Sequence, residues 1–211
     1  EKDKHIVMVT KKGIIKKSNL MDFSNPRPSG IIALKIKKDD ALISARIASK
    51  DEDIFLAARN GKAIRFKEST VRPMGRSASG VIAFRMKGDN EVVSMEIINK
   101  EATILTATSR GYGKRTATEE YREQGRGGQG IITITVNDRN GHVVGAHLLN
   151  DSDDIMIMTT KGKLIRLHAK DISTIGRNTA GVRLVNVDEG EKVASVAKIV
   201  EDEEEDRQIE M

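Results

Sequence analysis

Cysteine is absent from the 211 residues, which removes disulfides and thiolate metal ligands and suits a reducing compartment. Tryptophan is absent too, only two tyrosines and four phenylalanines are present, and proline occurs three times. No apolar run approaches the roughly 20 residues a membrane-spanning helix needs, and no signal peptide opens the chain, so a soluble, cytoplasmic protein with no membrane partner is expected. No stretch carries the 3.6-residue periodicity of a long amphipathic helix. With helices, staples and membrane spans set aside, the core must come from short strands.

What the chain does have is a segment that recurs four times at a period of about fifty residues. Each copy opens with an apolar run that ends in a turn glycine: Ile6–Val9 before Gly13, Ile54–Leu56 before Gly61, Ile104–Leu105 before Gly111, and Ile155–Met158 before Gly162. Little alternation within these runs predicts a strand buried on both faces. The turn pairs Lys12-Gly13, Asn60-Gly61, Arg110-Gly111 and Lys161-Gly162 predict tight hairpins. A short second strand, a polar connector, a second glycine (Gly30, Gly80, Gly130, Gly181), an alternating third strand and a fourth strand complete each copy. A unit this short cannot bury its own apolar face, so copies must pack on their neighbours. The expected fold is therefore all-β and propeller-like, with four antiparallel four-stranded blades at 4–48, 52–98, 101–149 and 153–200 in an open crescent. A sandwich of sixteen strands would leave the regular period unexplained.

Charge is distributed unevenly. Residues 201–211 hold seven acids and one base, while residues 1–200 carry 35 bases against 24 acids, a net +11. The acidic tail is expected to be disordered, having almost no apolar surface to bury, and to compete with a polyanion for the basic body.

Catalytic patterns are missing. His5, His142, His147 and His168 are scattered, with no zinc spacing. The serines lack a nucleophile elbow. The run Gly125–Gly130 lacks the lysine-serine ending of a phosphate-binding loop, and both tyrosines read as structural. No catalytic residue, metal or cofactor is expected. The bases form the better constellation. Lys17, Arg65, Arg115 and Arg166 each stand four residues after a turn glycine, with Lys16 and Lys114 beside two of them. Arg27, Arg76, Arg126 and Arg177 recur in the connectors, three of them within G-R-x-x-x-G, and Arg122 lies nearby. Recurrence predicts an arc of positive charge matched to a bent phosphate backbone. The competing reading pairs the strand bases with acids such as Asp22, Glu68 or Glu119. With so few aromatics there is no platform for unpaired bases, and double-stranded DNA bound through phosphates fits better. About two bases per blade would give roughly eight phosphate contacts and a log–log salt slope of about −7.

At Tyr121–Gly130 the chain resembles the family of DNA gyrase A C-terminal domains, and the resemblance extends over Gly111–Thr116, Asp171–Arg183 and the acidic tail. It implies a β-pinwheel, a propeller variant whose blades exchange strands and wrap duplex DNA on the outer rim. It also implies an accessory, non-catalytic part of an ATP-hydrolysing bacterial type IIA topoisomerase. The implied partners are the remainder of gyrase A together with gyrase B, in an A2B2 assembly at the nucleoid, supporting negative supercoiling. The family's signature box is Q-R-R-G-G-K-G in the first of about six blades. Here Gln124, Gly125, Arg126, Gly127, Gly128, Gln129 and Gly130 form a degenerate version in the third of four repeats, with Gly125 and Gln129 in place of an arginine and the lysine. This makes the segment equally an ordinary blade connector. It also suggests that the first two blades lie outside the chain, which begins abruptly at Glu1. The C-terminal domain of a topoisomerase IV protein and a protein-interaction propeller are the alternatives.

Overall fold

The protein is described by a computed structural model covering residues 4–98 and 102–199. The acidic tail, residue 101 and residue 200, which bound expected segments, lie outside the described residues.

Each apolar run forms the central strand of a small antiparallel sheet. In the first repeat β1 (His5–Thr10) pairs with β2 (Ile14–Asn19) and β3 (Leu42–Ala48). In the second, β4 (Asp53–Ala58) lies between β5 (Lys62–Lys67) and β7 (Val92–Ile98), after a two-residue β6 (Val81–Ile82). The third repeat has β8 (Thr103–Thr108), β9 (Tyr112–Ala117), β10 (Ile131–Ile132) and β11 (Val143–Leu149). The fourth has β12 (Asp154–Thr159), β13 (Leu164–His168), β14 (Val182–Arg183) and β15 (Val193–Ile199). Short 3-10 turns follow β2, β5, β9 and β13, at Leu20–Phe23, Glu68–Thr70, Thr118–Glu120 and Ala169–Asp171. The central strand β4 is buried along its whole length, as a strand covered on both faces must be.

The four-strand-per-repeat reading needs correction in one respect: the third strand leaves its own repeat. The sheet orders are β3-β1-β2-β6, β10-β5-β4-β7, β11-β8-β9-β14 and β13-β12-β15. So β6, β10 and β14 complete the preceding blade, and each shrinks to two paired residues instead of the expected six. The segment after Gly30 forms no strand, and the fourth sheet has three strands among the described residues. Were the ring closed, that segment would fill the edge beside β13; the array is open.

Both glycine series serve this exchange. Gly13, Gly61 and Gly111 sit at positive φ, and their carbonyls each accept two N–H groups from the incoming strand: Ala83 and Phe84 (2.9 and 3.2 Å), Thr133 and Ile134 (2.9 and 3.2 Å), Leu184 and Val185 (2.8 and 3.1 Å). A Cβ at any of the three would overlap a carbonyl oxygen of that strand. The core lies between blades. One cluster joins the first two (Val9, Leu56, Phe66, Phe84), one the middle two (Phe55, Ile104, Tyr121, Ala146) and one the last two (Leu105, Ile155, Val185, Val196).

Candidate nucleic-acid interface

The connectors run beside β2, β5 and β9. Their entry is fixed by equivalent hydrogen bonds: Met74 N–H to Lys17 O (2.7 Å), Gln124 N–H to Arg65 O (2.8 Å) and Ile175 N–H to Arg115 O (2.9 Å). Further along, Ala78, Gly128 and Thr179 carbonyls accept from Lys35 (3.3 Å), Arg85 (3.0 Å) and Thr135 (2.9 Å) N–H groups. The degenerate box, residues 124–130, thus occupies the place that 74–80 and 175–181 occupy, and its glycines serve the connector. Gly127 N–H donates to Ala83 O (2.7 Å), and Gly128 packs on Ile64.

The connector arginines cap the donated strands. Arg126 donates through Nη1 to Ile82 O (2.5 Å), and Arg177 makes the equivalent bond to Ile132 O (2.7 Å). Each thereby satisfies an edge carbonyl that would otherwise invite another strand. Arg126 is exposed and Arg177 half-buried; Arg76 is half-buried, and Arg27 and Arg122 are exposed. The structure adds Arg72, exposed at the repeat position of Arg122. Its signal was in the sequence: Arg72 and Arg122 each precede a connector arginine by four residues.

The strand bases are placed differently. Lys17 is buried with its Nζ 2.5 Å from Glu68 Oε1, the pairing with acids that the competing reading foresaw. Arg115, also buried, donates to Thr103 Oγ1 (2.8 Å) and Ala169 O (2.6 Å) and pairs with Asp151. Arg65 holds Asp53 (2.6 Å from Nε) and reaches Thr118 O (2.8 Å). Arg166 is exposed and grips Asp154 (2.6 Å from Nε). Glu68, Thr118 and Ala169 all belong to the 3-10 turn of the following repeat, so the first three bases clasp one blade to the next. Lys16 and Lys114 are buried, with Nζ donating to Ala33 O (2.5 Å) and Arg76 O, and to Gly176 O and Arg177 O (2.6 Å). Burial pushes the Lys114 ammonium down to about 8, with Glu120 opposing, and lowers Lys16 for the same reason. As folded, Lys16, Lys17, Lys114 and Arg115 present no cation at the surface, which corrects the expected arc.

The tyrosines are packing residues. Tyr121 is buried edge-on against Phe55, 5.0 Å between centroids, with its hydroxyl 2.6 Å from Thr133 Oγ1. Tyr112 is held between Arg139 and Arg183. Among the described residues no cluster of histidine, aspartate or glutamate could hold a metal ion, and no helix is long and apolar enough to cross a membrane.

Fold and connectors together define an open, strand-exchanging β-propeller whose arginine-bearing connectors lie against the donated strands. The family described as "DNA gyrase C-terminal domain, beta-propeller" matches residues 4–49, 52–99, 102–150 and 153–199. The chain belongs to that family. It is 54% identical over 211 residues to the DNA gyrase A protein of Halalkalibacterium halodurans, covering 99% of this chain and 25% of that protein. It is 46% identical over 205 residues to the Clostridium acetobutylicum gyrase A, covering 97% and 25%. The chain thus spans about a quarter of the length of these curated relatives. Among solved structures, a DNA gyrase A C-terminal domain superposes with a TM-score of 0.85 at 26% identity, covering 95% of this chain and 67% of that one. A DNA topoisomerase IV C-terminal domain superposes with a TM-score of 0.88 at 28% identity, covering 93% and 62%.

Proposed function

We propose that this domain binds double-stranded DNA along its connectors and bends it across successive blades. It would act without catalysis or cofactor of its own. The observation that carries the reading is the recurrence of arginine at one connector position in three repeats (Arg76, Arg126, Arg177), with Arg27 one residue nearer its glycine in the first, and with Arg72 and Arg122 beside two of them. Phosphates repeat regularly along a duplex, and guanidiniums that recur from repeat to repeat are complementary to them. Among the described residues no aromatic side chain is exposed to offer bases a stacking surface, so binding follows shape and charge and tolerates any sequence. The whole protein, on this reading, is a gyrase A that joins gyrase B in an ATP-dependent topoisomerase of the bacterial cytoplasm, with the topoisomerase IV counterpart as the related alternative. In that assembly the wrapped duplex would be presented to the catalytic core.

Arg72 and Arg122 make no side-chain hydrogen bond or ion pair among the described residues, so they test the reading cleanly. Replacing both with Gln is expected to weaken binding to random-sequence duplex and to make the salt slope shallower by about 1 per arginine, with thermal stability unchanged. Unaltered affinity and slope would count against the connector track.

A further inference from the structure

We infer that Ile82 and Ile132 pack against deoxyribose rings of the bound duplex, between phosphates held by the cations beside them. This rests on the DNA reading and adds to it the part of the contact that salt does not screen.

The two side chains occupy one repeat position. Val81–Ile82 lies in register with Ile15 and Ile14, and Ile131–Ile132 with Ala63 and Lys62. Successive side chains of a strand point to opposite faces. Val81 and Ile131 are half-buried and pack on the apolar clusters between blades. Ile82 and Ile132 therefore turn outward, 45% and 40% exposed. The sheet that holds Ile132 has a described blade packed on either side, so its exposure belongs to the interior of the array. One exposed apolar residue is ordinary. The same residue at the same place in successive blades marks a surface that meets something with a repeat of its own.

Each isoleucine stands among cations. Arg126 Nη1 donates to the Ile82 carbonyl (2.5 Å), and the carbonyl of the next residue, Gly127, accepts from Arg85 Nε (2.9 Å). Both of these arginines are exposed. At the second junction Arg177 Nη1 donates to the Ile132 carbonyl (2.7 Å), and Lys62 is the cross-strand neighbour of Ile132. A guanidinium has five N–H donors, so a single bond to a carbonyl leaves others for a phosphate oxygen. A DNA strand alternates an anionic phosphate with a sugar whose ring carries mostly C–H groups. An apolar side chain between cations is complementary to that alternation. Contacts to sugar and phosphate carry no sequence information, in keeping with binding that tolerates any sequence. At the third junction the position holds Arg183, which bonds to the Tyr112 hydroxyl, so the sugar contacts belong to the first two junctions.

A salt titration of duplex binding separates the two kinds of contact. Phosphate contacts set the slope of log affinity on log salt, and apolar contacts set its height. In the full chain, Ile82→Ser combined with Ile132→Ser is expected to raise the dissociation constant about tenfold at every salt concentration, with the slope unchanged. Ile82→Val with Ile132→Val should retain most of the affinity. Should serine weaken the two short strands, seen as a lower thermal midpoint, Ile82→Thr with Ile132→Thr keeps the β-branched shape and should show the same uniform loss. Wild-type affinity in the serine and threonine variants overturns the inference and leaves the DNA reading standing. A shallower slope in them overturns it too, since the loss would then lie in displaced Arg126 and Arg177. A wild-type chain that binds no random-sequence duplex at about 50 mM salt removes both.

Discussion

The charged residues of this protein do two jobs that look alike in sequence. Lys16 and Lys17 are neighbours on a strand, so their side chains point to opposite faces, and an isolated sheet would leave one in water. A blade is covered on both faces, and both lysines are buried. Repetition therefore revealed equivalence between copies and was silent about orientation. A finer signal was present: the position of Lys16 and Lys114 carries Ile64 and Ile165 in the other repeats, and a site that accepts isoleucine is a core site. The clasp made by Lys17 leads to one expectation. Lys17→Gln leaves Glu68 buried without its partner and should destabilise the fold by about 3 kcal/mol or more, read as a lower denaturant midpoint, while a connector substitution such as Arg122→Gln should leave that midpoint in place. Lys114 leads to a second. Its folded value of about 8 lies below the ordinary 10.5, so between those pH values the unfolded chain holds the extra proton and stability rises with pH. In Lys114→Met that rise should shrink by about 1–3 kcal/mol, measured by denaturant unfolding at pH 8 and pH 10. An identical rise in both proteins would place its origin elsewhere.

At the scale of elements, hairpins, first strands and the period were legible because local rules set them: an unalternating apolar run, then a glycine turn. Strand exchange was not legible in any single repeat, since Val81–Ile82 bonds to β2 about 66 residues earlier in the chain through backbone groups that every sequence possesses. Its imprint in sequence is the paired glycines, whose need arises only when another backbone comes close. This separates two substitutions that a helix or strand propensity scale would treat alike. Gly162→Ala places a Cβ in open space and should cost only the roughly 1 kcal/mol of positive φ. Gly61→Ala adds a collision with the Ile134 carbonyl and should cost at least about 2 kcal/mol more. Thermal unfolding of the two variants checks this; equal losses would mean that the donated strand yields without penalty.

For the whole molecule, the blades, each clasped to the next by a strand base (Lys17 and Arg115 buried, Arg65 half-buried) and an exchanged strand, set the spacing of the connector arginines. Four of the six track arginines (Arg27, Arg76, Arg126, Arg177) came from the repeat pattern, while Lys16, Lys17, Lys114 and Arg115 leave the track because the blades bury them. With six guanidiniums in place of eight bases, the expected salt slope falls from about −7 to about −5. The central claim is that DNA follows the connectors around the array and does not merely touch one of them. Bending a 20–30 base-pair duplex by 40–90° costs on the order of 1–6 kcal/mol, which contacts on successive connectors must offset. The direct test is energy transfer between dyes at the two ends of a random-sequence duplex of about 30 base pairs, titrated with this chain. The ends should approach on binding, and the approach should be lost together with affinity in a variant carrying Gln at Arg72, Arg76, Arg122 and Arg126. Saturable binding with the end-to-end distance unchanged would contradict the account.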